Sequence, residues 1–145
     1  MKIAELQKYM IDRLTENGME QAEAASVARI LLSHKLNVSL PELAVTRELL
    51  EPADIEAEME RLLSGEPLQY VIGETEFMGL ILRCAPSALI PRGDSEAVAE
   101  AAIELVKDLP HPRIADICTG SGAYVAVHQA EPHEGGLCRT RSHPR

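Results

Sequence analysis

Two short stretches of this chain gather residue types that suit ligand binding. The first is Asp116-Ile117-Cys118-Thr119-Gly120-Ser121-Gly122. It follows a short apolar strand, Arg113 to Ile117, and precedes a helical start at Ala123. Small residues at a strand-to-helix turn let a ligand come close to the backbone, and strand, Gly-rich turn and helix in that order begin a βαβ unit. The helix behind such a turn offers N–H groups without intrahelical partners and the positive end of its dipole. Taken alone, a Gly-x-Gly pair is equally an ordinary turn. The second stretch is Leu89-Ile90-Pro91-Arg92-Gly93-Asp94-Ser95-Glu96. Arg92 ends an extended run, and Asp94 or Ser95 can cap the helix that follows. Its plain alternative is a strand end, a solvated Arg and a capped helix. Asp94 and Glu96 read as charges at a helix N-terminus, not as an acid–base pair.

Other chemistries find little support. The three cysteines, Cys84, Cys118 and Cys138, are odd in number and widely spaced, which fits neither a disulfide framework nor a zinc pattern. His128, His133 and His143 are not at ligand spacing, so no metal site is expected. His34 reads as a packed or capping side chain. The net charge of -9, with no basic stripe, argues against a nucleic-acid partner. No apolar run approaches a membrane span, and Met1-Lys2-Ile3-Ala4-Glu5 lacks a signal peptide's apolar region. The expected address is a reducing cytoplasm, and the expected state a monomer.

The elements that must carry these stretches follow from spacing. Ile3, Leu6, Met10 and Leu14 trace one helix face, closed by Asn17-Gly18. A second helix over about 20–36 presents Ala24, Val27 or Ala28, Leu31 and Leu32. Ser39-Leu40-Pro41-Glu42 has the capping-box form and starts a short helix. Pro52 suits the first turn of a further helix with Ile55, Met59, Leu62 and Leu63, stopped at Ser64-Gly65. Residues 1–64 therefore read as an all-helical bundle in which each narrow stripe needs the others. Residues 66–70 read as a connector. Thr75-Glu76-Phe77 and Leu80-Ile81-Leu82 flank Met78-Gly79 as a β-hairpin. A helix after Gly93 shows Val98, Ala101, Ala102 and Leu105, and Pro110-His111-Pro112 breaks it.

Taken together, the segments resemble a known family. Gly65 to Gly73 resembles the pattern G-x-P-L-Q-Y-I-x-G, and Glu76 to Leu80 resembles E-F-[YW]-G-L. Leu89 to Glu96 resembles L-I-P-R-P-[DE]-T-E, and Asp116 to Gly122 resembles D-L-G-T-G-S-G. Ala28 to His34 is similar to its helical-domain signature. Four segments in family order identify residues 1 to about 127 as resembling the PrmC/HemK family, the protein-(glutamine-N5) methyltransferases of peptide chain release factors. That resemblance implies a helical release-factor-binding domain at 1–64 and a connector with β-hairpin at 65–87. It also implies the start of a Rossmann-like, S-adenosylmethionine-dependent domain at 88–127. The fold class so implied is an all-α bundle, a β-hairpin linker and the opening of an incomplete α/β domain. Asp116, Cys118, Thr119, Gly120, Ser121 and Gly122 match the cofactor turn, and Arg92 matches the Arg of the family's Pro-Arg-Pro loop. The implied reaction moves a methyl group from S-adenosylmethionine to the Gln amide of a release factor's Gly-Gly-Gln motif.

The departures set further expectations. Cys118 stands where the family has Gly, and Gly93 where it has the second Pro of Pro-Arg-Pro. The family's Asn-Pro-Pro-Tyr motif, which orients the reacting amide, is not among these 145 residues. No catalytic residue is therefore assigned, and the chain is expected to be an inactive fragment. The alternative is a helical module that binds a release factor without modifying it. Residues 128–145 break the helical pattern abruptly, and a shifted reading frame giving a disordered tail is expected there. A lone sheet strand lacks neighbours, so residues 66–145 are expected to pack loosely.

Overall fold

The structure is a computed structural model that describes residues 2–46, 54–110, 112–117 and 119–130. It divides into two compact units, Met1–Ile72 and Gly73–Arg145.

The first unit contains helices α1 (Ile3–Glu16), α2 (Gln21–Leu36), α3 (Leu40–Val45), α4 (Glu56–Leu63) and α5 (Leu68–Ile72). The stripe of α1 expected from spacing is the stripe that is buried: Ile3, Leu6, Met10 and Leu14. It meets Ala24, Val27, Ala28, Leu31 and Leu32 of α2, both Val27 and Ala28 being inside. Gly18, at φ 95, closes α1, and Met19 N–H reaches back to the Leu14 carbonyl at 3.1 Å. At α3 the capping box is complete: Glu42 N–H donates to Ser39 Oγ, and Ser39 N–H donates to Glu42 Oε2. Helix α4 starts at Glu56, whose N–H donates to Asp54 Oδ1 at 3.3 Å. Pro52 lies outside the described residues. The Lys35 ammonium pairs with Glu58, joining α2 to α4.

The expected connector at 66–70 is instead the entry to α5, and the division between units falls at Gly73, not after residue 64. Arg61 explains the difference. Its Nε and Nη2 donate to the two oxygens of Glu66, at 2.7 and 2.6 Å. Its Nη1 and Nη2 also donate to the carbonyls of Val71 and Tyr70, at 3.1 and 2.9 Å. The guanidinium thus satisfies carbonyls that a five-residue helix leaves open at its C-terminal end. Val71 is buried in the first core, with Leu68 and Ile72 packed against it.

In the second unit, β1 (Glu74–Phe77) and β2 (Leu80–Arg83) form an antiparallel pair with Phe77 opposite Leu80. The hairpin expected around Met78-Gly79 is present, and both loop residues have positive φ, 49 and 76. That geometry matches the right-handed twist of the strands. Helices α6 (Gly93–Val106) and α7 (Ala123–Ala130) follow. The core is Phe77, Ala99, Ala123 and Val127, with Met78, Leu80, Leu82, Ile103 and Tyr124 against it. The expectation of loose packing from residue 66 on meets, in the described part of this unit, a small core around one aromatic ring, while Ile81, Leu89, Val98, Leu105 and Ile117 stay exposed.

Four expectations need correction here. Helix α6 begins at Gly93 with Arg92 as N-cap and no side-chain cap, so Asp94 and Ser95 lie inside its first turn. Its buried face runs through Ala99 and Ile103, while Val98 and Leu105 are 60% and 80% exposed. Arg113 to Ile117 does not form a strand, because no strand among the described residues lies beside it to complete a ladder. His128 continues α7 and is buried, so helical structure extends past the expected break. Residues 131–145 lie outside the described residues.

Two predictions follow from these contacts. Hydrogen bonding from Lys35 holds the Glu58 carboxyl below the ordinary glutamate value of 4.5. A depressed carboxyl stabilises the fold above its unfolded pKa and loses that contribution as pH falls through its lower folded pKa. Urea unfolding from pH 6 downward is expected to show this loss below about pH 4.5, and Glu58→Gln to show a shallower acid dependence. The second concerns Gly93, the first residue of α6, where an added Cβ meets no atom within 4 Å. Arg92 before it is extended at φ -109, ψ 151, the conformation a following proline requires. Gly93→Pro is expected to raise stability by about 0.4–1 kcal/mol through the unfolded state. Equilibrium denaturation that shows a loss would contradict this account of the turn.

Candidate functional site

The Gly-rich turn is shaped by two left-handed glycines and one side-chain bond. Gly120 has φ 56 and Gly122 has φ 79, a region that costs glycine little and other residues more. Thr119 Oγ1 donates to Asp116 Oδ2 at 2.8 Å in a partly buried setting. The bond ties Asp116, at the end of the 113–117 segment, to the turn. Gly122 N–H donates to the Thr119 carbonyl at 2.9 Å, and Ala126 N–H donates to the Gly122 carbonyl at 2.9 Å. The second of these is the first intrahelical bond of α7. The N–H groups of Ala123, Tyr124 and Val125 therefore have no helical acceptor, as in any first turn. A Cβ built on Gly122 meets nothing within 4 Å, so the space beside the backbone there is open.

The structure thus brings Asp116, Thr119, Gly120, Ser121 and Gly122 into one local turn before α7. Ser121 and Gly120 are exposed, while Asp116, Thr119 and Gly122 are half-buried. Cys118 lies outside the described residues. Arg92 is exposed at the N-cap of α6, and its carbonyl accepts from Ser95 N–H at 2.9 Å. Among the described residues no hydrogen bond or ion pair ties Arg92 to the turn. This arrangement can hold a polar or anionic ligand group against backbone N–H donors. Beside those donors stands the Asp116 carboxylate, which already accepts from Thr119, and this combination suits the holding of a polar ligand group. Among the described residues no group of three or more His, Cys, Asp or Glu could hold a metal ion. Among the described residues no helix is long and apolar enough to cross a membrane.

Residue-by-residue reading missed three contributors. Glu96, taken only as a helix-end charge, accepts a hydrogen bond from Met78 N–H at 2.8 Å. Phe77 and Tyr124 meet edge to face, with ring centroids 6.0 Å apart and planes at 80°. Tyr124 stands two residues after Gly122, and Phe77 is the chain's single Phe. The available signal was the Met78-Gly79 loop. A two-residue loop leaves the N–H of its first residue without a ladder acceptor, so a partner from elsewhere is needed where that N–H is buried.

Comparison with known proteins adds the lineage. The PrmC N-terminal domain matches residues 5–73. The release factor glutamine methyltransferase of Bradyrhizobium diazoefficiens is 39% identical over 128 residues, covering 83% of this chain and 42% of that protein. The protein of that name from Bordetella pertussis is 38% identical over 123 residues, covering 82% and 44%. That of Aliivibrio fischeri is 35% identical over 138 residues, covering 90% and 46%. The chain spans less than half the length of these relatives. With the helical bundle, the hairpin and the Gly-rich turn in family order, the chain belongs to the PrmC/HemK family of release factor glutamine methyltransferases.

Proposed function

We propose that this chain carries the release-factor-holding domain and the opening of the cofactor domain of a protein-glutamine N5-methyltransferase. The helical unit would hold the release factor, and the turn from Asp116 to Gly122, with Arg92, would hold the amino acid part of S-adenosylmethionine. The observation that carries the reading is the turn itself. Two left-handed glycines, the Thr119–Asp116 bond and the start of α7 leave backbone donors beside an open space. When bound, S-adenosylmethionine supplies an electrophilic methyl group on a sulfonium. In this reading the first-turn N–H groups of α7 receive its carboxylate. Asp116, fixed by Thr119, offers an acceptor to its ammonium. Residues that would orient the Gln amide for attack, the Asn-Pro-Pro-Tyr group, are not among the 145, so these residues bind and do not transfer. A cytoplasmic address and a monomeric chain go with this reading.

A second reading, a binding module alone, draws support from the first unit. Its core closes without any residue beyond Ile72. Loss of release-factor capture when residues 1–64 are deleted is expected under both readings, and cofactor binding separates them.

Isothermal titration calorimetry of the 145-residue chain with S-adenosylmethionine is expected to show saturable binding. Gly122→Val is expected to weaken it by roughly tenfold or more, because a β-branched residue at that φ is strained and its side chain enters the open space. Wild-type protein that takes up no cofactor would leave only the binding-module reading standing.

A further inference from the structure

The hairpin loop contains a cost that its own strands do not offset. Met78 sits at φ 49, where a side chain with a Cβ is disfavoured, and Gly79 follows at φ 76. In a two-residue hairpin loop closed by Phe77 opposite Leu80, the ladder offers no acceptor to the first loop residue's N–H. That donor is partly buried, and a buried donor without an acceptor is costly. Glu96 supplies the acceptor. Its Oε1 lies 2.8 Å from Met78 N, across eighteen residues of sequence. Glu96 stands in the first turn of α6, three residues before Ala99, which is fully buried on the same side.

Next to Met78 is Phe77, 1% exposed. Its ring belongs to the cluster that includes Ala99 of α6 and Ala123 and Val127 of α7, and its edge contact is with Tyr124. Ala123 is the residue after Gly122. A shift of the hairpin loop therefore reaches the Gly-rich turn through one ring and one peptide. Close-packed side chains pass such displacements on because few voids exist to absorb them.

We propose that Glu96 is a positioning residue. Its carboxylate locks the Met78-Gly79 loop, and Phe77 and Tyr124 carry that constraint to Gly122 and the start of α7. The proposal deepens the cofactor reading of the turn and rests on that reading only where ligand affinity is concerned.

The test uses the 145-residue chain and two readouts, amide hydrogen exchange and S-adenosylmethionine affinity. Glu96→Ala is expected to speed exchange at Met78, Gly122 and Ala126 by about tenfold and to weaken the cofactor by a similar factor. Glu96→Gln, which keeps an acceptor oxygen and drops the charge, is expected to stay within about threefold of wild type in both. Asp94→Ala removes an acid from the same helix turn and is expected to leave Gly122 exchange unchanged. Tyr124→Leu cuts the link beyond the hairpin, so Gly122 exchange should rise while Met78 stays protected. This variant keeps the test decisive even if Glu96→Ala unfolds the unit. Unchanged exchange at Gly122 in both Glu96→Ala and Tyr124→Leu overturns the proposal. So does a Glu96→Gln loss as large as that of Glu96→Ala, which would assign the effect to helix-end charge. Should the exchange pattern hold while wild type binds no cofactor, the cofactor reading fails and the positioning role stands.

Discussion

The second unit depends on the burial of one ring. The chain has no Trp and a single Phe, and that Phe77 sits at the end of β1 with almost no exposure. Burying such a side chain contributes about 1.5–3 kcal/mol, a large share for a core of four buried residues. The ring shares its cluster with residues of the hairpin, α6 and α7, so three elements distant in sequence meet around one position. The Gly-rich turn inherits its placement from that contact, because α7 begins one residue after Gly122. A βαβ unit would ordinarily fix such a turn through a paired strand. Here no described strand pairs with the segment leading to Asp116, and the constraint comes from behind, through α7.

The first unit works by a different economy. Its core spreads over α1, α2, α3, α4 and α5, and no aromatic ring takes part in the buried set. Met10, Leu14, Leu31, Leu32 and Met59 are almost fully buried, so many small contributions replace one large one. Polar groups then settle the ends. Asn17 Nδ2 donates to the Leu63 carbonyl at 3.0 Å, joining the close of α1 to the close of α4. Tyr9 Oη, which accepts from Arg13, donates to Glu56 at the start of α4. Arg61 gives the Gly65–Gly73 motif a physical meaning. Glu66 orients a guanidinium that caps the short helix made by the residues after Pro67.

What spacing made legible was whatever one local rule decides. The stripe of α1, the capping box at Ser39 and the hairpin at Met78-Gly79 each depend on residues within a turn of one another. The family motifs added the order of the units. The turn residues 116 and 119–122 were legible as a set, since the two glycines mark positive φ. Features decided by distant partners were not legible. Helix α5 is closed by Arg61, which donates to the Tyr70 and Val71 carbonyls, and five residues after a proline show no helical period of their own. Glu96 looked like a dipole charge because its partner is eighteen residues away. Arg113 to Ile117 has strand composition, yet a strand is defined by its neighbour.

Helix α6 shows why composition alone misassigns a face. It carries two apolar stripes, one through Val98, Ala101 and Leu105 and one through Ala99 and Ile103. By side-chain size the first is the stronger candidate for burial. The structure buries the second, where Ala99 joins the cluster of Phe77, Ala123 and Val127 and a small side chain lets the elements approach closely. Ala99 therefore counts for more than Val98 despite being smaller. Hydrophobicity ranks how much a residue gains from burial, whereas the shape of the neighbour decides which residue is admitted. Glu96, on the Ala99 side, follows the same choice. Had the Val98 stripe faced the hairpin, the carboxylate would have turned away from Met78, and the loop would have lost the acceptor that its partly buried N–H uses.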